Sequence, residues 1–247
     1  MKVVGIIPAR YGSTRFPGKP LALIGGKTMI RRTCEQVLLS SLDTVVVATD
    51  DLRIADEVKG FGGRVVMTSL DHRSGTDRCR EALDLIGESI DAVVNIQGDE
   101  PFIDPRQIDQ VVQLIRQPEV GLATLARKIT DPARVADSNT VKVVFGNDGK
   151  ALYFSRHAIP YVRGVDPSQW IRHADYYQHI GIYAYKSDVL RTIASMPMGR
   201  LEQAESLEQL RWLENGLTIK VAVTDIAASY GIDTPDDLLH LPKELLS

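Results

Sequence analysis

A cationic loop near the beginning of the chain, residues 8–20, is the first place where residue types and spacing suggest chemistry. Arg10, Arg15 and Lys19 place three cations within ten residues, and no acidic residue precedes Glu35. Two glycines let the loop backbone approach a ligand closely, and its last two prolines restrict its freedom, so less entropy is lost on binding. This pattern favours a polyphosphate site, with a solvated basic loop as the alternative. It matches neither the G-x-x-x-x-G-K-[ST] phosphate loop nor the G-x-G-x-x-G dinucleotide fingerprint.

Two aspartates follow other predicted strands. Asp99 lies in QGDEP, directly after the apolar run at 92–96, and Asp233 lies in GIDTPDDL, after the run at 219–223. If these strands are parallel, their carboxyl ends share one sheet edge with the cationic loop, which is where open α/β folds bind ligands. Magnesium prefers one or two carboxylates together with phosphate oxygens. Asp99 is therefore a candidate Mg²⁺ ligand, with a turn residue as the alternative. Asp233 is a second candidate, although the residues alone favour a helix-capping acid at that position.

Eight motifs run in order through nearly the whole chain. They are IPARYGSTRFPGKPL at 7–21, ATDD at 48–51, SGTDR at 74–78, NIQGDEP at 95–101, ALYFSR at 151–156, HIGIYAY at 179–185, LEQLRWLENG at 207–216 and GIDTPDDL at 231–238. Together they resemble the sugar-acid cytidylyltransferases, above all those that act on 3-deoxy-manno-octulosonate (Kdo). The resemblance implies Mg²⁺-dependent transfer of CMP from CTP to Kdo, which activates Kdo for lipopolysaccharide synthesis, and a homodimer formed through the β-rich part.

The resemblance also nominates site residues. The catalytic residues it implies are Arg10, Lys19, Asp99 and Asp233, and the two aspartates are the metal ligands. The CTP-binding residues it implies are Ala9, Arg10, Ser13, Arg15, Lys19, Gly75, Arg78, Gln97 and Asp99. The sugar-binding residues it implies are Arg156, His179, Tyr183, Glu208 and Gln209.

Other interpretations remain open at this stage. The residues at 74–78 can be explained as a helix cap, a lone histidine on a strand is more often structural, and Glu208 and Gln209 fit the solvated face of a helix. For the function, the alternatives are a cytidylyltransferase for 8-amino-Kdo or sialic acid, a sugar-phosphate nucleotidyltransferase, and a nucleotide-binding regulator without catalytic activity.

The elements that must position these residues alternate between strand and helix in the first half of the chain. Apolar runs at 3–7, 44–48, 64–67 and 92–96, each followed by a helical pattern, predict an α/β, Rossmann-like fold with a mostly parallel sheet. From residue 121 an antiparallel pattern begins. We expect a nucleotide-binding core at 1–120 with 217–247, and a β-rich sugar-binding and dimerisation subdomain at 121–216. Within it the sequence predicts a mobile loop at 160–175 and one helix at 201–214.

Composition limits the function classes. A formal net charge of −3 argues against a broad nucleic-acid-binding surface. No apolar run approaches the roughly 20 residues of a membrane span, and Met1-Lys2 leads directly into the first strand, so we expect no membrane segment and no signal peptide. Cys34 and Cys79 fall on apolar helical positions and are expected to be buried thiols in a reducing, cytoplasmic setting.

Overall fold

The computed structural model describes residues 1–12, 16–72, 74–227 and 230–245, apart from the side chain of residue 243. Its strands are β1 (Val3–Ala9), β2 (Leu23–Ile24), β3 (Lys27–Thr28), β4 (Thr44–Thr49), β5 (Val65–Met67), β6 (Ala92–Asn95), β7 (Leu122–Lys128), β8 (Lys142–Phe145), β9 (Ala151–Ser155), β10 (Tyr177–Lys186) and β11 (Lys220–Val223). Its α-helices are α1 (Met29–Val37), α2 (Leu52–Gly60), α3 (Gly75–Leu85), α4 (Pro105–Ile115), α5 (Pro132–Ala136), α6 (Ser187–Ala194), α7 (Arg200–Glu205), α8 (Gln209–Glu214) and α9 (Pro235–Leu239). Short 3-10 helices cover Lys19–Leu21, Pro167–Arg172 and Lys243–Leu245.

One large sheet organises the molecule, with the strand order β11-β7-β10-β6-β1-β4-β5. Strand β1 pairs in parallel with β4 and β6, β4 with β5, and β11 with β7. Strand β10 is antiparallel to both β6 and β7, so β7 and β11 run in the same direction as β1. The predicted α/β fold with a mostly parallel sheet is therefore confirmed, and the carboxyl ends of its parallel strands share one edge.

Helices cover both faces of this sheet because its central strands are apolar on both sides. Strand β6 is buried at every position, and β1 at all but one. On one face α1, α2 and α4 pack their apolar stripes against the sheet, and on the other face α3, α6 and α8 do the same. The two free cysteines are buried in these layers, Cys34 on α1 and Cys79 on α3, as the sequence predicts.

The second half of the chain contributes to the same sheet. Strands β7 and β10 lie between β11 and β6, and a tight turn at 147–149, with the sequence Asn-Asp-Gly, joins β8 to β9 through Gly149 at φ +73°. A positive φ favours glycine, which explains the turn. The functional division into 1–120 with 217–247 and 121–216 stays a prediction, since strands from both parts form one continuous sheet.

Two predictions for this region are wrong in part. The single helix expected at 201–214 is two helices, α7 and α8, because Ser206 adopts a left-handed conformation at φ +52° and ends the first. The segment at 160–175, expected to be a mobile loop, contains the 3-10 helix at Pro167–Arg172. Trp170 in that helix is only 6% exposed and belongs to a small apolar cluster with Tyr176.

Within the described residues, no helix combines the length and the apolar character that crossing a membrane requires.

Candidate active site

A polar cleft of about 290 Å³ opens at the carboxyl edge of the sheet, where β1 and β6 end side by side. It is lined by Pro8, Ala9, Arg10, Gly12, Lys19, Pro20, Gln97, Gly98, Asp99 and Asp233. The cleft therefore brings together six of the nominated residues from three distant parts of the sequence. Ser13 and Arg15, also nominated for CTP, lie outside the described residues.

Lys19 lies at the centre of the charged groups in this cleft. Its Nζ donates to Asp99 Oδ2 at 2.6 Å, to the Ile232 carbonyl at 2.8 Å and to Asp233 Oδ1 at 3.3 Å. The Lys19 side chain is 13% exposed, against 34% for Asp99 and 56% for Asp233. One ammonium group thus holds the two carboxylates at a common point.

The backbone around Lys19 explains its placement. Lys19 begins a 3-10 helix with Pro20 in its first turn, and Gly18 caps that helix at φ +71° while its N–H donates to the Tyr11 carbonyl at 2.9 Å. Gly98 allows the two loops to touch, because a Cβ there would lie 2.9 Å from the Pro8 carbonyl oxygen. The cationic loop is therefore pressed against the β6 loop that carries Asp99.

Asp233 reaches the cleft because the segment before it is anchored. Ile232 is 1% exposed, packs in an apolar cluster with Ile24 and Met29, and donates its N–H to the Asp99 carbonyl at 3.1 Å. The capping of α9 is done by Thr234, whose side chain accepts from the N–H of residue 237. The interpretation of Asp233 as a helix cap is therefore unnecessary, and its carboxylate faces Lys19.

The donor set of Asp99 and Asp233 fits a magnesium ion. Two carboxylates that converge on one ammonium group can converge equally on one hard divalent cation. Among the described residues no third histidine, cysteine, aspartate or glutamate joins them. The remaining ligands would be phosphate oxygens and water, which is the usual arrangement for Mg²⁺.

The two remaining CTP candidates, Gly75 and Arg78, lie in different surroundings. Gly75 is the first residue of α3, and a Cβ there would lie 3.4 Å from Cγ of Pro8, which lines the cleft, so Gly75 lies next to the cleft. Arg78 is fully buried, and its guanidinium donates to Asp50 at 2.8 Å and to Thr68. Arg78 therefore fastens α3 to the strand edge, and the structure does not bring it into the cleft.

The sugar candidates His179 and Tyr183 meet through a bulge in β10. Pairing with β7 jumps from Ile180–Leu125 to Tyr183–Thr124, which leaves two residues of β10 unpaired. Four residues of extended strand span roughly 13 Å. The rings of His179 and Tyr183 nevertheless lie with their centroids 5.2 Å apart. The bulge therefore places both side chains at one point on the sheet.

Neither of these two side chains carries a charge near neutral pH. Burial lowers the pKa of His179 to about 3, and its Nε2 lies 3.0 Å from Thr124 Oγ1. Tyr183 is 8% exposed, burial raises its pKa well above the ordinary value, and Trp212 packs edge-on against its ring. Near neutral pH His179 is a neutral imidazole and Tyr183 a neutral phenol.

Glu208 and Gln209 lie on the inner side of the chain, because the break at Ser206 turns the beginning of α8 inward. Thr76 Oγ1 donates to Glu208 Oε2 at 2.8 Å, and burial raises the Glu208 pKa. Gln209 is 5% exposed. The alternative interpretation as a solvated helix face is therefore wrong for Gln209, and Glu208 is half-buried. Glu208 instead links α8 to α3, directly beside Gly75.

Arg156 lies apart from this group. Its guanidinium donates to the carbonyls of Glu205 at 2.7 Å, Ser138 at 3.2 Å and Ser206 at 3.3 Å. The side chain borders a separate cavity of about 560 Å³ next to Trp170. In this structure Arg156 holds the break between α7 and α8.

Sequence reasoning missed two residues beside the sugar candidates, namely Asn95 and Tyr185, and left Thr76 open to explanation as part of a helix cap. Asn95 and Tyr185 are buried on neighbouring strands, and Thr76 makes the hydrogen bond to Glu208. Asn95 ends the otherwise apolar run AVVN, and a polar side chain at a buried strand position is a signal that could have found it.

Comparison with known proteins identifies the class. The family model described as Cytidylyltransferase matches residues 4–219. The chain therefore belongs to the cytidylyltransferase family.

Its relatives within that family are sugar-acid enzymes. It is 55% identical over 248 residues to 3-deoxy-manno-octulosonate cytidylyltransferase of Bacteroides thetaiotaomicron, covering 99% of this chain and 98% of that one. It is 50% identical to 8-amino-3,8-dideoxy-manno-octulosonate cytidylyltransferase of Shewanella sediminis, over 96% of both chains. A solved structure of CMP:2-keto-3-deoxy-manno-octonic acid synthetase complexed with CTP is 45% identical, with a TM-score of 0.89 over 97% of this chain and 96% of that one.

Proposed function

We propose that this chain transfers CMP from CTP to Kdo, giving CMP-Kdo and pyrophosphate, and so activates Kdo for lipopolysaccharide synthesis. The observation that carries the proposal is the 55% identity to a Kdo cytidylyltransferase over 99% of the chain. The geometry supports it independently, because the cationic loop and the two aspartates converge on one cleft at the carboxyl edge of the sheet.

The reaction needs positioning and charge neutralisation more than a covalent catalyst. The anomeric hydroxyl oxygen of the sugar forms a bond to the α-phosphorus, the bond from that phosphorus to the bridging oxygen breaks, pyrophosphate leaves, and the hydroxyl proton is released. Arg10 and Lys19 line the cleft, where two cations can hold the triphosphate and neutralise the charge that develops on pyrophosphate.

Asp99 and Asp233 would hold the magnesium ion, as their convergence on the Lys19 ammonium supports. When bound, the ion would act as a Lewis acid on phosphate oxygens and lower the pKa of a hydroxyl group next to it. Lys19 has a second part in this proposal, since it keeps two carboxylates together that would otherwise repel each other.

The acceptor would lie between the cleft and the group formed by His179, Tyr183 and Glu208. Thr76 supports this arrangement, because its hydrogen bond to Glu208 joins α3 and α8 next to Gly75. The second candidate acceptor is 8-amino-Kdo, favoured by the 50% identity to an enzyme named for that sugar.

A homodimer formed through the β-rich part also belongs to this proposal. Leu152 on β9 is 66% exposed and Tyr161 is 71% exposed, so this part of the molecule carries apolar surface that a second copy could cover. Light scattering coupled to gel filtration measures the mass directly, and a monomer at micromolar concentration would contradict the dimer.

The experiment that tests the function is pyrophosphate release from CTP with Kdo, 8-amino-Kdo, sialic acid and no sugar, together with mass spectrometry of the product. We expect Mg²⁺-dependent release with Kdo and the mass of its CMP ester. Turnover with 8-amino-Kdo alone would reassign the acceptor, and absence of release with every sugar would contradict the proposal.

A further inference from the structure

A cluster of buried polar atoms lies on the inner side of the proposed sugar site. Among the described residues, Asn95 Oδ1, the Tyr183 hydroxyl and the Tyr185 hydroxyl are all buried and have no hydrogen-bond partner. Asn95 is 3% exposed and Tyr185 is fully buried. A buried polar group without a partner destabilises a fold by about 1–3 kcal/mol, so three in one place call for a reason.

The sheet register explains why these atoms gather. Asn95 pairs directly with Tyr183 across β6 and β10, which puts both side chains on the same face. Tyr185 lies two residues further along that face, its ring centroid 6.0 Å from that of Tyr183. The Tyr185 hydroxyl lies beside Asn95 and Thr76 without a hydrogen bond of good geometry to either.

This cluster borders both halves of the site. A Cβ on Gly75, at the edge of the cleft, would lie 3.7 Å from Asn95 Nδ2. Thr76, the next residue, donates to Glu208. Four elements thus meet here, namely β6, β10, α3 and α8. The last three carry residues nominated for CTP or for sugar, and β6 leads directly to Gln97 and Asp99.

The polar groups of this cluster determine which kind of ligand can complete it. The acidic side chain that faces both phenols is Glu208. A hydroxyl group can donate to Glu208 or Asn95 and accept from a phenol, so it matches the donors and acceptors of the cluster. A polyhydroxylated acceptor is therefore the complementary ligand.

We propose that Asn95 and Tyr185 are positioning residues for the acceptor, an inference that rests on the proposed function. When a hydroxyl-bearing acceptor lies against Tyr183 and Glu208, the partnerless groups close into one hydrogen-bonded network that orients these two side chains. The network discriminates acceptors by their hydroxyl groups, because a sugar lacking the matching hydroxyl leaves buried polar atoms unpaired.

The test uses Tyr185→Phe and Asn95→Leu, which keep side-chain shape and remove the polar atoms. We expect the KM for Kdo to rise on the order of 10-fold in each variant. The CTP dissociation constant measured by calorimetry should be unchanged, and the melting temperature should equal or exceed that of the wild type.

Tyr176→Phe is the matched control. Tyr176 is also fully buried, but its hydroxyl donates to the Pro160 carbonyl at 2.6 Å, in a different cluster. Removal of the Tyr176 hydroxyl group should lower the melting temperature and leave the KM for Kdo unchanged. An unchanged KM in Tyr185→Phe together with a lowered melting temperature would make Tyr185 a structural residue and overturn the inference.

Singly deoxygenated Kdo analogues complete the test. One analogue should raise the KM of the wild type but have little further effect in Tyr185→Phe, because the same network is already broken. Additive effects for every analogue would overturn this inference but leave the proposed function standing. A wild type that releases no pyrophosphate with Kdo would instead overturn the proposed function and, with it, this inference.

Discussion

Replacing Lys19 by methionine tests the arrangement of the cleft most directly, because one ammonium group contacts both aspartates and faces the space for the triphosphate. Methionine keeps the length of the side chain and removes its charge. A charge-assisted hydrogen bond is worth about 1.5–3 kcal/mol. Loss of one such bond to a phosphate oxygen therefore predicts roughly a 10- to 150-fold weaker CTP affinity.

Calorimetry distinguishes two roles of Lys19, a direct contact with the nucleotide and the positioning of the two aspartates. Calorimetry with CTP in EDTA measures the direct contact between the ammonium group and the nucleotide, and the same titration with Mg²⁺ adds the contribution of the aspartates. Because Lys19 also holds Asp99 and Asp233 together, the variant should lose affinity in both titrations. The combined variant Lys19→Met/Asp233→Asn should lose less than the sum of the two single variants in Mg²⁺.

Lys27→Met is the matched control. Lys27 pairs with Glu35 at 2.7 Å, and both side chains are more than a third exposed. Exposed pairs contribute about 0–1 kcal/mol to stability, so this variant should fold as the wild type does. Lys27 does not line the cleft, so the variant should also bind CTP as the wild type does. A CTP affinity of Lys19→Met in EDTA equal to that of Lys27→Met would refute the direct contact and reduce Lys19 to a clamp for the two aspartates.

Three further predictions follow from the site. Asp99→Asn and Asp233→Asn should each abolish turnover while leaving the fold and CTP binding in EDTA intact; substantial activity in Asp233→Asn would remove the two-aspartate metal site. Arg156→Ala should raise the KM for Kdo without changing CTP affinity, because Arg156 holds the break at Ser206 that turns Glu208 inward. Loss of its bonds to three carbonyls should also lower the free energy of unfolding by about 1.5–3 kcal/mol in urea titrations. Equal loss of CTP affinity would end the separation of the two subsites. His179 has a pKa of about 3, below the ordinary 6.5, so only the unfolded chain takes up its proton between these values. Stability should therefore fall by about 1.4 kcal/mol per pH unit as the pH drops through that window, and His179→Asn should remove this slope whereas exposed His240→Gln should not.

The sequence predicts most elements of this fold because local patterns suffice for them. Apolar runs bounded by helical periodicity locate β1, β4 and β6, and Asp104 followed by Pro105 marks the beginning of α4. The break between α7 and α8 has no such signal. The left-handed residue there is Ser206, where glycine is the usual marker, and the apolar period continues through it.

The candidate site likewise contains some residues that the sequence predicts and others that it does not. The positions after predicted strands and the resemblance predict Lys19, Asp99 and Asp233, and the structure brings them into contact. Arg78 looked like a ligand residue at the beginning of a helix, but its partner is Asp50. No local pattern distinguishes an arginine that binds a ligand from one paired with a carboxylate 28 positions away. Asn95 and Tyr185 likewise depend on strand register, which the sequence does not specify.

The contact between Lys19 and Asp233 has a consequence for synthesis of the chain on the ribosome. The two residues are 214 positions apart, so the cleft joins an early segment of the chain to a very late one. The central sheet can pair β1 with β4 and β6 long before Asp233 has been made, since domains fold as they emerge. A nascent chain that stops short of the segment at 230–239 would therefore contain a folded core and the cationic loop, but only one of the two aspartates proposed to bind the metal. Such a chain could hold a nucleotide without turning it over, and activity would appear only when the α9 segment docks on Ile24 and Met29.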